Sequence, residues 1–338
     1  MRTIDWVTSS SRSSGFIRLV DQTRLPGDMV MLDIDSVDGL IGAIQRLSVR
    51  GAPALGVAGA LGVALAAQNH DPDKARDESS KLRRARPTAV NLSVGVDRAM
   101  AAFDADGAAG ALRAALALRD QDIEFCLAMS ARGADLVREL VGVSAAGTGA
   151  VTVMTICNTG GLAAVEHGTA LGVVERLHLD GDLALAIACE TRPLLQGARL
   201  TTWELGRMGA AHRLIVDSAA AMTLAGGGVH AVLVGADRIA DNGDTANKIG
   251  TFSLAIAAQY AGVPFIVVAP ETTVDSSTAT GAEIEIEDRG PEEVCMFAGI
   301  PTAPEGTAAG NPAFDVTPAA LITAIVTERR VIRPGGNR

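Results

Sequence analysis

Five apolar runs in the second half of the chain constrain its fold more than any other feature: VTVMTI (151–156), LALAIA (183–188), RLIVD (213–217), HAVLVGA (230–236) and PFIVVA (264–269). Each is β-prone, each stops at Gly, Asp, Cys or Pro, and helical segments separate them. The runs are apolar throughout instead of alternating, the pattern of strands covered on both faces by helices. The second half is therefore expected to be a doubly wound, Rossmann-like parallel sheet. Ligands of such sheets bind outside the carboxyl ends of the strands. That rule selects Cys157-Asn158-Thr159-Gly160-Gly161, Cys189-Glu190-Thr191-Arg192, Asp217-Ser218, Asp237-Arg238 and Ala269-Pro270, which end or follow the runs.

The first half reads differently. Residues 16–35, FIRLVDQTRLPGDMVMLDID, hold two β-rich runs around the turn signal Leu25-Pro26-Gly27-Asp28, which predicts an antiparallel hairpin. Ala- and Leu-rich segments at helical spacing follow over 36–47, 53–69, 72–84, 93–102, 108–119 and 120–142, and the Gly/Ala/Ser stretch 143–150 reads as a seam. The expected organisation is α/β: a smaller, mainly helical N-terminal domain with a β-hairpin over 1–147, then the Rossmann-like domain over 148–338. A chain of 338 residues suits that division, because single cores stop growing at roughly 250–300 residues.

A net charge of -10 argues against a nucleic-acid partner, since phosphate backbones are bound by an excess of Lys and Arg. Residues 51–69 carry no charged side chain and approach the ~20 residues of a membrane span. Ala and Gly dominate the stretch and no basic cluster flanks it, so it is read as a buried helix with no membrane partner. The start MRTIDWVTSS lacks the apolar core of a signal peptide, and the four cysteines form no CxxC pair; both suit a reducing cytoplasm. Five histidines without HxxxH or HExxH spacing give no support to a metal site.

Cys157 stands where a β-run meets Gly160 and Gly161. A helix beginning there stabilises a thiolate, and the glycines let backbone N–H groups approach an anion; a buried, inert thiol is the competing reading. Asp237 ends an apolar run, where partial burial suits a general acid, although capping a following helix or pairing with Arg238 are equal structural alternatives. Lys248 near a helix start suits a phosphate or hydroxyl, as does Arg50 before the Gly51-Ala52-Pro53 helix entry; Arg86 is a weaker candidate of the same kind. No GxGxxG or GxxxxGK[ST] is present, so nucleotide loops lack support. Residues alone lead as far as an enzyme of phosphorylated small molecules.

Six motifs in order, RGAPALGVAGALG, RPTAVNL, ICNTGGLA, ETRPLLQGARLTTWEL, GADRIADNGDTANKIGT and NPAFDVTP, closely resemble those of the methylthioribose-1-phosphate isomerase family, from about residue 17 to residue 332. The resemblance implies conversion of 5-methylthioribose 1-phosphate to the ribulose 1-phosphate in methionine salvage, by a homodimer without metal or organic cofactor. It implies Asp237 as proton donor and Cys157 as transition-state stabiliser, with Arg50, Gly51, Ala52, Arg86, Gln196, Asn247 and Lys248 on the substrate; the chemistry of the residues themselves adds the expectation that Arg50, Lys248 and the Gly160 and Gly161 amides hold its phosphate. Ile156 and Gly161 depart from the family's usual His-Cys-Asn-Thr-Gly-Ala, and Cys189 from a frequent Asp-Glu-Thr. Isomerases of 5-deoxyribose 1-phosphate or ribose 1,5-bisphosphate therefore stay open, as do the non-catalytic regulatory subunits of the translation-initiation exchange factor.

Overall fold

The computed structural model describes residues 1–8, 14–87, 89–142, 151–297 and 299–334. They form two compact units: Met1–Leu127 with Thr159–Gly168, and Ala128–Asn158 with Thr169–Arg338. The expected seam over 143–150 lies outside the described residues.

In the first unit the hairpin is present, as β2 (Phe16–Val20) and β3 (Met31–Ile34), and a strand missed in the sequence, β1 (Ile4–Val7), pairs with β2 on its other side. Period-two geometry sorts the β2 side chains: Ile17 and Leu19 go to the core while Arg18 faces out and forks onto Asp33, its register partner on β3, at 2.7 and 2.9 Å. Helices α1 (Val37–Gln45), α2 (Ala52–Asn69), α3 (Pro72–Arg83) and α4 (Val90–Val141) follow. The expected break after residue 102 exists as a kink at Asp106 and Gly107, but 108–119 and 120–142 are one continuous helix. The uncharged stretch is α2, long and apolar enough to cross a membrane and 72% buried within the fold. Its glycines serve helix packing: a side-chain carbon on Gly95 of α4 would stand 1.9 Å from the Gly56 carbonyl oxygen of α2.

The second unit is the doubly wound sheet. Its strands are β4 (Val151–Thr155), β5 (Leu183–Cys189), β6 (His212–Ile215), β7 (Ala231–Val234), β10 (Phe265–Val268), β15 (Ala324–Val326) and β16 (Val331–Ile332), in the order β16-β15-β10-β7-β4-β5-β6. All pairs are parallel except β15 with β16. The helices α5 (Ala170–Leu179), α6 (Thr202–Met208), α7 (Ala220–Ala225) and α8 (Thr251–Ala261) connect the strands; α5 packs on β4, β5 and β7. A second sheet is set between β7 and the C-terminus, in the order β11-β8-β9-β14: β8 (Arg238–Ala240), β9 (Thr245–Lys248), β11 (Val274–Asp275) and β14 (Phe314–Thr317). A short helix α9 (Glu292–Cys295) leads into the hairpin β12 (Met296–Phe297) and β13 (Ile300–Pro301).

The strands of the main sheet follow the chain outward from β4 to β5 and β6 on one side, then from β7 to β10 and β15 on the other. The order reverses between β4 and β7, and a parallel sheet opens its crevice at such a reversal.

Candidate functional site

The reversal point is where Cys157 and Asp237 are found. The pairing of β4 with β7 puts Val153 opposite Ala231 and Met154 opposite Val232, so two segments of the chain leave adjacent strand ends, one into Cys157 and the other into Asp237. No helix begins at Gly160-Gly161, contrary to the sequence expectation: the next helix is α5, from Ala170. The chain instead crosses into the first unit for Thr159–Gly168 and returns. The helix-dipole argument for a Cys157 thiolate is therefore lost.

What holds Cys157 is hydroxyl groups. Its φ is 64°, in the left-handed region that non-glycine residues seldom occupy. Its N–H donates to Thr191 Oγ1 at 2.8 Å, and its carbonyl accepts from Thr201 Oγ1 at 2.6 Å. The next residue, buried Asn158, donates through Nδ2 to Glu204 Oε1 at 2.7 Å and to Thr201 Oγ1 at 3.3 Å. Thr191 follows β5 and is itself left-handed, with φ 68°. Its N–H and that of Arg192 both donate to Asp217, after β6, at 2.8 and 2.7 Å. None of these partners was singled out in the sequence for this role, because the hydroxyls act through a backbone conformation that composition does not report.

Gln196 lies on the same connection after β5. It is 7% exposed, and its Oε1 has no hydrogen-bond partner among the described residues. A buried carbonyl oxygen without a donor costs roughly 1–3 kcal/mol, and such groups mark places where a ligand or water completes the bonding. A five-residue π-turn, Gly197–Thr201, follows immediately and opens α6; π-turns inside helices concentrate at functional sites. Gly197 is required there, since a side-chain carbon would fall 1.7 Å from the Cys189 carbonyl oxygen.

Asp237 is exposed, not partly buried as expected, and the chain after it enters β8, so it caps no helix. Its N–H donates to Ala246 O at 2.9 Å, which ties the turn to β9, and its neighbour Arg238 pairs with Asp275 at 3.3 Å. Asn247 and Lys248 lie on β9, in strand register with Asp315 and Phe314 of β14. Asn247 is buried and donates to Thr251 Oγ1 at 3.0 Å. The Lys248 ammonium stands 4.4 Å from the centre of the Phe314 ring and donates to Ala313 O at 2.7 Å. Helix α8 begins with a glycine, Gly250, at its N-cap; Asp315 supplies the missing acceptor, taking the N–H groups of Gly250 and Phe252 at 2.7 and 3.1 Å. Burial outweighs these bonds and the nearby Lys248 charge and pushes the Asp315 carboxyl up to about 6.

The first unit gathers a different group. Arg50 precedes α2 and donates through Nε to Gln22 Oε1 at 3.1 Å, while Gln22 donates through Nε2 to Leu162 O at 2.7 Å. Gly51 caps α2 with φ 95°, and a side-chain carbon on it would lie 2.3 Å from Ala163 O. Arg50, Gly51 and Ala52 are thereby brought beside the Gly160–Ala163 turn. The carbonyls of that turn are drawn inward: Thr3 Oγ1 donates to Gly161 O and Ala164 O, both at 3.0 Å. An arginine next to the N-terminus of a long helix and a glycine turn is an arrangement suited to an anion. Arg86 lies in the loop after α3, half-buried, with its carbonyl accepting the Ala89 N–H at 3.0 Å.

Residues 48–334 match the initiation factor 2 subunit family. The chain is 49% identical over 318 residues to a methylthioribose-1-phosphate isomerase of Anaeromyxobacter, covering 94% of this chain and 91% of that protein. It is 47% identical to a 5-deoxyribose 1-phosphate isomerase of Moorella thermoacetica, covering 95% and 92%. It is also 48% identical to a probable bifunctional methylthioribose-1-phosphate isomerase/methylthioribulose-1-phosphate dehydratase of Nocardia farcinica, of which it spans 60%. Among solved structures it is similar to 5-methylthioribose 1-phosphate isomerase from Pyrococcus horikoshii (TM-score 0.86, 37% identity, 98% of this chain and 92% of that one). It is also similar to translation initiation factor eIF-2B subunit delta from A. fulgidus (TM-score 0.85, 39% identity, 99% and 96%).

Proposed function

The chain belongs to the initiation factor 2 subunit family, and within it we propose an aldose–ketose isomerase that converts 5-methylthioribose 1-phosphate to 5-methylthioribulose 1-phosphate in methionine salvage. One observation carries this reading: Cys157, held in a left-handed turn by Thr191 and Thr201, and Asp237 leave the two adjacent strand ends at which the sheet reverses.

In an aldose 1-phosphate the anomeric carbon is capped, so no free aldehyde exists and the enzyme must open the ring. Asp237 protonates the ring oxygen as the bond from C1 to that oxygen breaks, which leaves an oxocarbenium ion at C1. The C2 hydrogen then moves to C1 with its electron pair while the C2 hydroxyl passes its proton to the Asp237 carboxylate, directly or through water, which restores the acid and leaves the 2-ketose 1-phosphate. Cys157 stabilises the charge that develops during the transfer. We assign Arg50, Lys248 and the Gly160 and Gly161 amides to the phosphate, and Gly51, Ala52, Arg86, Asn247 and Gln196, whose buried Oε1 has no hydrogen-bond partner among the described residues, to the rest of the substrate. Substrate covering the exposed Asp237 supplies the desolvation that the fold does not. In the rival route the C2 hydrogen leaves as a proton and an enol is reprotonated at C1. Turnover in deuterated water separates them: substantial deuterium at C1 of the product sinks the direct shift.

A coupled assay with 5-methylthioribose 1-phosphate, 5-deoxyribose 1-phosphate and ribose 1,5-bisphosphate tests the reading. The first is expected to have the largest kcat/KM, by about 10-fold or more over the second, since a thioether and a methyl differ by only ~1–3 kcal/mol in an apolar pocket. Turnover of none of the three favours a regulatory subunit instead, the reading that the similarity to the A. fulgidus protein keeps in play.

The protein is further proposed to be a cytoplasmic homodimer. Its cysteines are free thiols, as a reducing compartment keeps them. Phe252, Ile256 and Tyr260 are exposed at four-residue spacing along α8, a helix whose sequence TFSLAIAAQYA has no charge. An uncharged apolar stripe is what a chain of net charge -10 can offer to its own copy without self-repulsion. Sedimentation velocity is expected to show a dimer, and a monomer for Ile256→Asp; a monomeric unmodified protein removes the proposal.

A further inference from the structure

We infer that Thr191 is a positioning residue for the reaction, holding Cys157 in its left-handed conformation; the inference rests on Cys157 acting in catalysis.

Two non-glycine residues at neighbouring strand ends, Cys157 (φ 64°) and Thr191 (φ 68°), are both left-handed. For a β-branched residue that conformation is a true outlier, and glycine or asparagine adopts it with less strain. A threonine persists in such a place where its surroundings over-determine it. Here the surroundings are specific. Thr191 is fully buried, and its hydroxyl makes two bonds at once: it accepts the Cys157 N–H at 2.8 Å and donates to Cys189 O at 2.9 Å. A single hydroxyl thus ties the end of β4 to the end of β5.

Thr191 is held in turn by the next strand. Asp217, after β6, accepts the N–H groups of Thr191 and Arg192, one on each carboxylate oxygen. The bonds form a line across three adjacent strand ends, from Asp217 through Thr191 to Cys157. Thr201 closes the far side by donating to the Cys157 carbonyl. Both backbone groups of Cys157 are therefore fixed by threonine hydroxyls, and Thr191 is the one on its N–H. A hydroxyl at this position is needed both to accept and to donate. Valine, of the same shape, does neither, whereas serine does both.

The test uses the full-length protein with Thr191→Val, Thr191→Ser and Thr191→Gly, folded state being checked by circular dichroism and thermal melting. With 5-methylthioribose 1-phosphate, Thr191→Val is expected to lose roughly tenfold or more in kcat with KM within about twofold, and Thr191→Ser to stay within about threefold of the unmodified kcat. Thr191→Gly relaxes the backbone but has no hydroxyl, so it is expected to fold and to be as impaired as Thr191→Val, which keeps the inference testable if valine does not fold. The second readout needs no turnover: the rate at which iodoacetamide alkylates Cys157, mapped by mass spectrometry, changes by about fivefold or more in the valine and glycine variants but not in serine. If the unmodified protein isomerises none of the sugar phosphates, the proposed function fails while the alkylation rates still report whether Thr191 positions Cys157. Valine and glycine variants with unchanged kcat and unchanged Cys157 alkylation overturn the inference. So does a serine variant as impaired as valine, or a loss confined to KM.

Discussion

The ends of β4 and β5 offer the same side chain in two chemical conditions. Cys157, past β4, is half-buried and left-handed, with its N–H and carbonyl each on a threonine hydroxyl. Cys189 closes β5 in extended backbone, 1% exposed, and burial together with the nearby Asp217 and Glu190 charges pushes its thiol up to about 12. Both stand at the carboxyl edge of one sheet, where ligands of such folds bind. The difference teaches that the edge alone does not make a reactive position. On the proposed reading, what sets Cys157 apart is its place beside the reversal of strand order and a left-handed turn in which the residue is only half-buried. Cys189, one strand further out, is a packing residue whose carbonyl receives the Thr191 hydroxyl.

The comparison breaks most sharply on activity. Cys157→Ala and Asp237→Asn are each expected to lower kcat by about 10²–10⁴-fold with KM much less affected, because each removes an interaction that strengthens only as the ring opens. Equal KM effects for the two variants and for Arg50→Ala would place all three in ground-state binding instead. The kinetics of purified variants with 5-methylthioribose 1-phosphate decide this.

The chain beyond each strand end sharpens the comparison at a smaller scale. After β5 it turns through Gln196 and the π-turn inside its own unit; after β4 it enters the first unit, where Asp122 of α4 accepts the Val165 N–H at 3.0 Å. Burial pushes the Asp122 carboxyl from 3.8 up to about 6. The folded protein then holds a proton that the unfolded chain releases between pH 3.8 and about 6. Asp122 therefore contributes stability that is complete below the lower value and is lost as pH rises through the upper one. Asp122→Asn keeps an acceptor for Val165 without the buried charge. It is expected to raise stability at pH 8 by roughly 2 kcal/mol and to flatten the pH dependence between the two values, measured by chemical denaturation across pH. An unchanged pH profile would show that Asp122 carries no such proton.

The strand ends of this sheet also show how far residues alone can lead. The continuous apolar runs made the parallel sheet legible, and the strand-end rule then reached Cys157 and Asp237 without any knowledge of what they touch. The helix expected after Cys157 is absent because Gly160-Gly161, which has the composition of a loop entering a helix, lies instead in a turn packed against the N-terminus of α2. The short strands β8 and β9 were not legible, since RIA and TANK have too few apolar residues to show a period, and Lys248 could be placed only near the helix that begins at Thr251. Asp315 escaped notice because its N–H partner Gly250 lies 65 residues earlier in the chain, and a cap supplied from another strand leaves no local signature. Asp237 was legible in place but not in exposure, which depends on the turn into β8.

The smallest expected effect belongs to Cys189. With its thiol near 12, the thiolate fraction at pH 8 is about 10⁻⁴, and the buried sulfur offers an alkylating reagent no approach. Iodoacetamide at that pH is therefore expected to modify Cys157 in the folded protein while Cys189 reacts only after denaturation. Cys189→Ala removes a small buried group and leaves a carbonyl that still receives Thr191, so kcat and KM should stay within about twofold and stability fall by about 1 kcal/mol. A large loss of kcat in Cys189→Ala with Thr191 undisturbed would contradict the contrast between the two strand ends, for it would mean that the sulfur of β5, and not only the carbonyl beside it, takes part in the reaction.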